Sequence, residues 1–390
     1  MADIEALNGV AAADIEAFNG VAKADIQAVN GLTVPASGAT LWTIVGADGA
    51  VATAAHSDLN DWTGVVSAGL SPHKDHLAVG YGKDGSGSPL WVSVSEDGTR
   101  EIRYTSDPTA GVDAWTDVNP SNPGRMHAVL WGNNVWMAAG DDGNLWRSTN
   151  GTSWSEVDMS GVTNWATDVD VRHLASDGAG KWMCGNDQYI FVSTNDGAGW
   201  TELYDCADAP LSSASYEVRG ITHTVASGTA RWAVLVKKAS PNETNVIHAP
   251  ASDTSSWTKA TYDGGVASGQ DIVGIGTRHM VAGAGIVMMV GGDNVSRSAD
   301  GGQDWIKYVS DGDELTRTDA RGLGTDGNGT WVVVHDSGRV SISTNHGVAG
   351  SWAEQTGVQD GGSNTNLRFP TGGSNVENLD AVAANVLLPV

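Results

Sequence analysis

Cysteine is nearly absent: Cys184 and Cys206 are the two in 390 residues. They stand in no Cys-x-x-Cys or zinc-type spacing, so neither a disulfide framework nor a cysteine metal cluster is expected. Two free, half-buried thiols are the reading. Phenylalanine is scarce, with 3 residues, and 21 basic side chains face 46 acidic ones, for a net charge of -25. That balance argues against nucleic acid and anionic membranes as partners, because both call for basic patches. No run of 18 apolar residues occurs, so no membrane-spanning helix is expected. The first residues lack the basic-then-apolar order of a signal peptide, which points away from ordinary secretion. Long helix-period stretches are missing after residue 34.

Glycine (51) and tryptophan (16) are abundant instead. Short apolar runs alternate with clusters of Gly, Asp, Asn and Ser, an all-β pattern with many tight turns. One ending recurs, as in "RSTNGTSWSEV", "VSTNDGAGWTEL", "RSADGGQDWIKY" and "ISTNHGVAGSWAEQ". The tryptophans that close it are Trp62, Trp115, Trp154, Trp200, Trp257, Trp305 and Trp352, spaced by 53, 39, 46, 57, 48 and 47 residues. A second phrase, a turn followed by an aromatic or aliphatic run, precedes most of them at Trp136, Trp182, Trp232 and Trp331. Ile286 holds the matching place in "GAGIVMMVGG". Each unit of roughly 45 residues reads as four short antiparallel strands, which is a propeller blade. Seven such units predict an all-β, seven-bladed β-propeller. The Asp, Asn and Gly of each ending permit a tight turn. The tryptophan then packs between neighbouring units, where one ring buries a large apolar area.

The ending resembles the Asp-box, Ser-x-Asp-x-Gly-x-x-Trp, of sialidase-like, sortilin-like and photosystem-assembly-factor-like propellers. The match is close at Ser193, Asn195, Gly197 and Trp200, and at Ser298, Asp300, Gly302 and Trp305. The copy at Ser148, Asn150 and Trp154 is one residue short. The copy at Ser343, Asn345 and Trp352 carries an insertion, as does the loop at Trp115; Trp62 and Trp257 retain Asp and Trp alone. The resemblance covers about residues 41–358 and implies a structural role for the box.

The first unit, from Leu41, supplies three strands. "NLDAVAANVLLPV" resembles the opening strands of other units, so a strand at about 378–390 is expected to join the first blade and close the ring. Residues 41–390 would then be the propeller and 35–40 a linker. Residues 1–34 are three near-copies of "ADIEALNGVAA". Asp is a good N-cap and Asn-Gly a helix stop, so each copy reads as a short helical turn with Ile4, Leu7, Ile15, Phe18, Ile26 and Val29 as its apolar contacts. So few large side chains could not fold alone, which implies docking on a partner surface. The phrase resembles the I-x-x-(I/V/F)-N-G-V tandem repeats at the start of bacteriophage tail and fibre proteins. The resemblance implies a virion structural protein, in several copies. Residues 1–34 would bind other virion proteins, and the propeller would bind a host-surface glycan or protein.

No catalytic constellation is legible. A sialidase-like glycoside hydrolase would need an arginine triad, a Tyr–Glu pair and an acid Asp. "LRFP" (Leu367–Pro370) departs from the corresponding family phrase at two positions. Arg125, Arg172, Arg219, Arg278 and Arg321 precede inner strands, where they could ring one mouth of a channel or face solvent. His127, His173 and His223 stand near the same starts. "DGSGSP" (84–89), "DDGN" (141–144) and "DGGQD" (300–304) have calcium-loop composition without the other ligands of an EF-hand. The expectation is a non-enzymatic protein without a cofactor, a structural cation remaining compatible with these loops. A non-phage secreted adhesin or assembly factor is the further alternative.

Overall fold

A computed structural model describes residues 41–65, 75–96, 102–111, 114–118, 124–238, 243–263, 279–291, 294–308, 320–335, 338–354 and 379–385. It also describes six two-residue strands within residues 6–33. The body is seven antiparallel sheets in chain order. Blades 2 to 5 and blade 7 each take four strands consecutive in sequence, opening at His76–Lys83, Met126–Gly132, Leu174–Ser176, Tyr216–Ala226 and Ala320–Thr325. Blade 6 opens at His279–Gly283 and carries a fifth strand, Thr261–Asp263, parallel to its outer strand Asp304–Tyr308. Blade 1 is assembled from both ends of the body: Leu379–Ala384 pairs antiparallel with Leu41–Gly46. Asn385 reinforces that join. Its side-chain oxygen accepts from the Leu41 amide, and its own amide donates to the Leu41 carbonyl.

The opening strands of successive blades lie side by side from blade 1 through blade 7 and back to blade 1. This closes the ring, so that each blade's short inner edge is flanked by its neighbours.

The apolar core is divided by seam. Seven clusters of buried side chains occur, each shared by two adjacent blades. Trp182 and Trp200 of blade 4, for example, pack with Val135, Met137 and Leu145 of blade 3. Trp331 and Trp352 of blade 7 pack in the same way with Met288 and Val290 of blade 6. Each indole removes on the order of 150 Å² or more from water, worth about 4 kcal/mol by area. A single four-stranded blade has nothing of its own against which to bury that surface, so stability resides in the seams.

Blade 6 corrects one sequence assignment. Trp136, Trp182 and Trp331 stand opposite Ser148, Ser193 and Ser343 in the ladder, and the residue opposite Ser298 is Val287. Val287 therefore takes the tryptophan's place and faces blade 5, whereas Ile286 faces blade 7. A one-residue shift along a strand exchanges its faces, which is why the aligned text misled.

The N-terminal repeats are also different from expectation. Ala6–Leu7 pairs with Val10–Ala11, Ala17–Phe18 with Val21–Ala22, and Ala28–Val29 with Leu32–Thr33, each pair a separate antiparallel ladder. Among the described residues each repeat contributes one small strand pair, and the expected helical turns from Asp3, Asp14 and Asp25 otherwise lie outside the described residues. Leu7, Phe18 and Val29 stand opposite Val10, Val21 and Leu32, and Asn-Gly separates the partners each time. Two residues of this type between apolar flanks are a strong hairpin signal, whereas an isolated helical turn carries a large nucleation cost. Ile4, Ile15 and Ile26 lie outside the described residues, as do the side chains of Leu7, Phe18 and Val29.

Candidate functional site at the channel mouth

The recurring turns prove to be fasteners of the scaffold. Ser193 Oγ donates to Asn195 Oδ1 (2.8 Å) and accepts from the Gly197 amide (3.0 Å), while Trp200 Nε1 donates to the Gly197 carbonyl (3.0 Å). Ser298, Asp300, Gly302 and Trp305 repeat all three bonds. The short copy uses Ser148, Asn150, Gly151 and Trp154 to the same end. Gly197 has φ +75°, and a Cβ there would stand 2.5 Å from the Met137 sulfur of blade 3, so the position needs glycine twice over. The turn also crosses the seam: Arg147 Nε donates to the Asp196 carbonyl and Asn133 to its carboxylate.

In the inserted copy, Ser343 Oγ still accepts from the Gly347 amide and also bonds Ser351. The indole of Trp352, like those of Trp62, Trp115 and Trp257, is buried without a hydrogen-bond partner. The copies with an insertion or with Asp and Trp alone are those that lack the indole bond, whereas the copy one residue short keeps it.

Chemistry gathers elsewhere. All seven opening strands run the same way along the ring, so their first residues share one face of the disc. In five of the seven, the ladder slips by one residue at that point, leaving Leu77, His127, Arg219, Arg321 and Asp380 as the bulged residues. Bulges re-aim side chains at the rims of closed sheets. In blade 4, Arg172 and His173 immediately precede the opening strand. Arg278, Arg368 and the "LRFP" phrase lie outside the described residues.

The described arginines of this face are matched by carboxylates. Arg125 pairs with Glu96 (2.9 Å) and Arg321 with Asp380 (3.0 Å). Arg172 pairs with Asp170, and Arg219 with Glu217. His173 is held neutral, its pKa lowered to about 3 by burial, helped by the positive surroundings of His279, Arg219, Arg172 and His127. Between blades 3 and 4, His127 Nε2 lies 2.5 Å from Asp141 Oδ1 and 4.0 Å from Asp170 Oδ2. Burial also lowers the pKa of His127, against the opposing effect of its bond to Asp141.

His223 does not belong to this face. It sits in the far half of Tyr216–Ala226 and packs on Trp232, ring centroids 4.8 Å apart. The grouping of His127 with Asp141 and Asp170 was missed in the sequence. Its one textual signal was the "DDGN" loop that Asp141 opens. That loop and the other two of calcium-like composition form local turns. Asp84 accepts from the Ser86 and Ser88 amides, and Asp300 from those of Gln303 and Asp304. Cys184 and Cys206 are free and fully buried rather than half-buried. No helix among the described residues is long and apolar enough to cross a membrane.

The fold defines a seven-bladed β-propeller scaffold. Among solved structures, the chain is similar to "YCF48 bound to D1 peptide" at 12% identity and TM-score 0.52, covering 76% of this chain and 89% of that one. It is also similar to YCF48 from Cyanidioschyzon merolae (15% identity, TM-score 0.46, 77% and 87% covered). A third is the WD40 β-propeller domain of Doa1 (15%, 0.44, 70% and 80%). At these identities the likeness is one of fold. No family model and no curated protein matches the chain.

Proposed function

We propose that the chain is a binding propeller carried on a bacteriophage particle, a tail, fibre or surface-decoration component. Residues 1–34 fix it to other virion proteins, and the propeller presents a rigid face to a host-surface protein or glycan. The observation that carries the reading is the N-terminal organisation: three tandem 11-residue repeats, each with its own two-residue strand pair. Such minimal ladders are marginal in isolation and gain from a surface that completes them. A propeller of the same fold has been seen with a D1 peptide, which supports a protein partner as something the scaffold can hold. The glycosidase alternative gains nothing from the channel mouth, where the four described arginines each have a carboxylate of this chain beside them.

The test is assembly. Particles formed with a chain lacking residues 1–34 should lose the protein, while the shortened chain remains folded and soluble. Full incorporation of the shortened chain would overturn the reading.

A further inference from the structure

The seam between blades 3 and 4 holds a group of side chains that neither scaffold nor docking uses. His127 Nε2, Asp141 Oδ1 and Asp170 Oδ2 lie within 4.8 Å of one another. They come from three separate segments: the bulge in the opening strand of blade 3, the turn after its second strand, and the approach to blade 4. Their backbones are fastened independently of the side chains. The Asp141 amide donates to the Arg125 carbonyl (2.8 Å), and the Val171 amide donates to the Gly140 carbonyl (2.8 Å). Gly140 permits this convergence, since a Cβ there would stand 2.2 Å from the Arg125 carbonyl oxygen. The imidazole is nearly enclosed, 7% exposed, while the two carboxylates are about a third exposed at 34% and 30%. The group is therefore rigid behind and open in front.

We infer that His127, Asp141 and Asp170 form a binding site for a divalent transition-metal ion of the zinc class, placed at the channel mouth. An ion bonded at about 2.0–2.2 Å to each donor needs those donors roughly 3–3.5 Å apart. The observed separations of 2.5 and 4.0 Å bracket that value, so small side-chain rotations suffice. Two carboxylates and a neutral imidazole match a double positive charge. One nitrogen among oxygens favours zinc, cobalt or manganese over magnesium and calcium. Three protein ligands leave a coordination position open toward the channel. The chain's net charge of -25 concentrates cations around it. Arg172 opposes the ion by pairing with Asp170, which makes it a diagnostic residue.

The experiment titrates the tag-free, full-length chain, stripped with a chelator, with Zn²⁺ by calorimetry and with Co²⁺ by visible absorption. The expected result is one site per chain, with a cobalt spectrum of a low-symmetry nitrogen–oxygen site. His127→Gln, which keeps a donor for Asp141, and Asp170→Asn should each weaken binding by about tenfold or more. Arg172→Ala should tighten it. His346→Ala, at an exposed surface histidine, should change nothing. Circular dichroism and the thermal midpoint of each metal-free variant establish that it is folded. Zinc should raise the midpoint of the native chain and of Arg172→Ala, and not that of His127→Gln. No uptake by the folded native chain would overturn the assignment. So would uptake that survives both His127→Gln and Asp170→Asn unchanged.

Discussion

Two repeats share this chain and solve the same problem differently. The body repeat of roughly 45 residues buries its tryptophans against the preceding blade, and the ring supplies a neighbour for every blade. The N-terminal repeat of 11 residues closes two backbone strands on themselves and stops. One repeat is completed within the chain. The other forms three ladders that, among the described residues, join no blade. The difference underlies the proposal that a partner is engaged at the end whose repeats are too small to finish a core, and not by the scaffold.

The largest effect should come from breaking each repeat in turn. Truncation before Leu379 removes the inner strand of blade 1, including Ala381, Val382 and Ala384 from two seams. It should abolish cooperative unfolding or soluble expression. Removal of residues 1–34 should move the thermal midpoint by no more than about 2 °C, because no ladder among the described residues links them to a blade. An equal loss in both truncations would erase the distinction.

Acid should attack the scaffold next. His335 is buried in blade 7 with a pKa lowered to about 4, chiefly by burial and then by Arg339. The unfolded chain holds that histidine near pH 6.5, so below this value it binds more protons than the folded chain does. Stability is complete above pH 6.5 and falls as pH drops toward 4, by roughly 3 kcal/mol from this residue. Denaturant titrations across that window should show the slope, and His335→Gln should lessen it by that share, the buried His76, His173 and His223 supplying the rest.

A smaller comparison separates seams within the ring. Trp200→Phe removes a hydrogen bond to the Gly197 carbonyl and should cost about 1 kcal/mol more than Trp257→Phe, whose indole has no partner to lose. Urea unfolding of the two variants measures the gap. Equal costs would mean that the indole bonds contribute nothing beyond packing.

Much of this was legible because the signals were local. Ser193, Asn195, Gly197 and Trp200 sit within eight residues, and their hydrogen bonds are made within the same eight. Spacing alone counted the blades, since every blade ends on a tryptophan. Four features were not legible. Asn-Gly serves equally as a helix stop and as a hairpin turn, and the Asp read as an N-cap before it favoured the helix stop. Val287 and Ile286 are neighbours of similar character, and their faces are set by the ladder to Ser298. His127, Asp141 and Asp170 meet only because the rim of blade 3 is stapled to the approach of blade 4. Nothing in their spacing announces that contact. The parallel fifth strand Thr261–Asp263 has the same origin: its partner lies some 40 residues further on.

Amide hydrogen exchange of the strand residues between Ala6 and Thr33, in the free protein and on intact particles, tests the central claim most directly. The account predicts fast exchange in the free chain and strong protection on the particle, with the blade amides unchanged between the two. Protection already complete in the free chain, or absent from the particle-bound one, would contradict it.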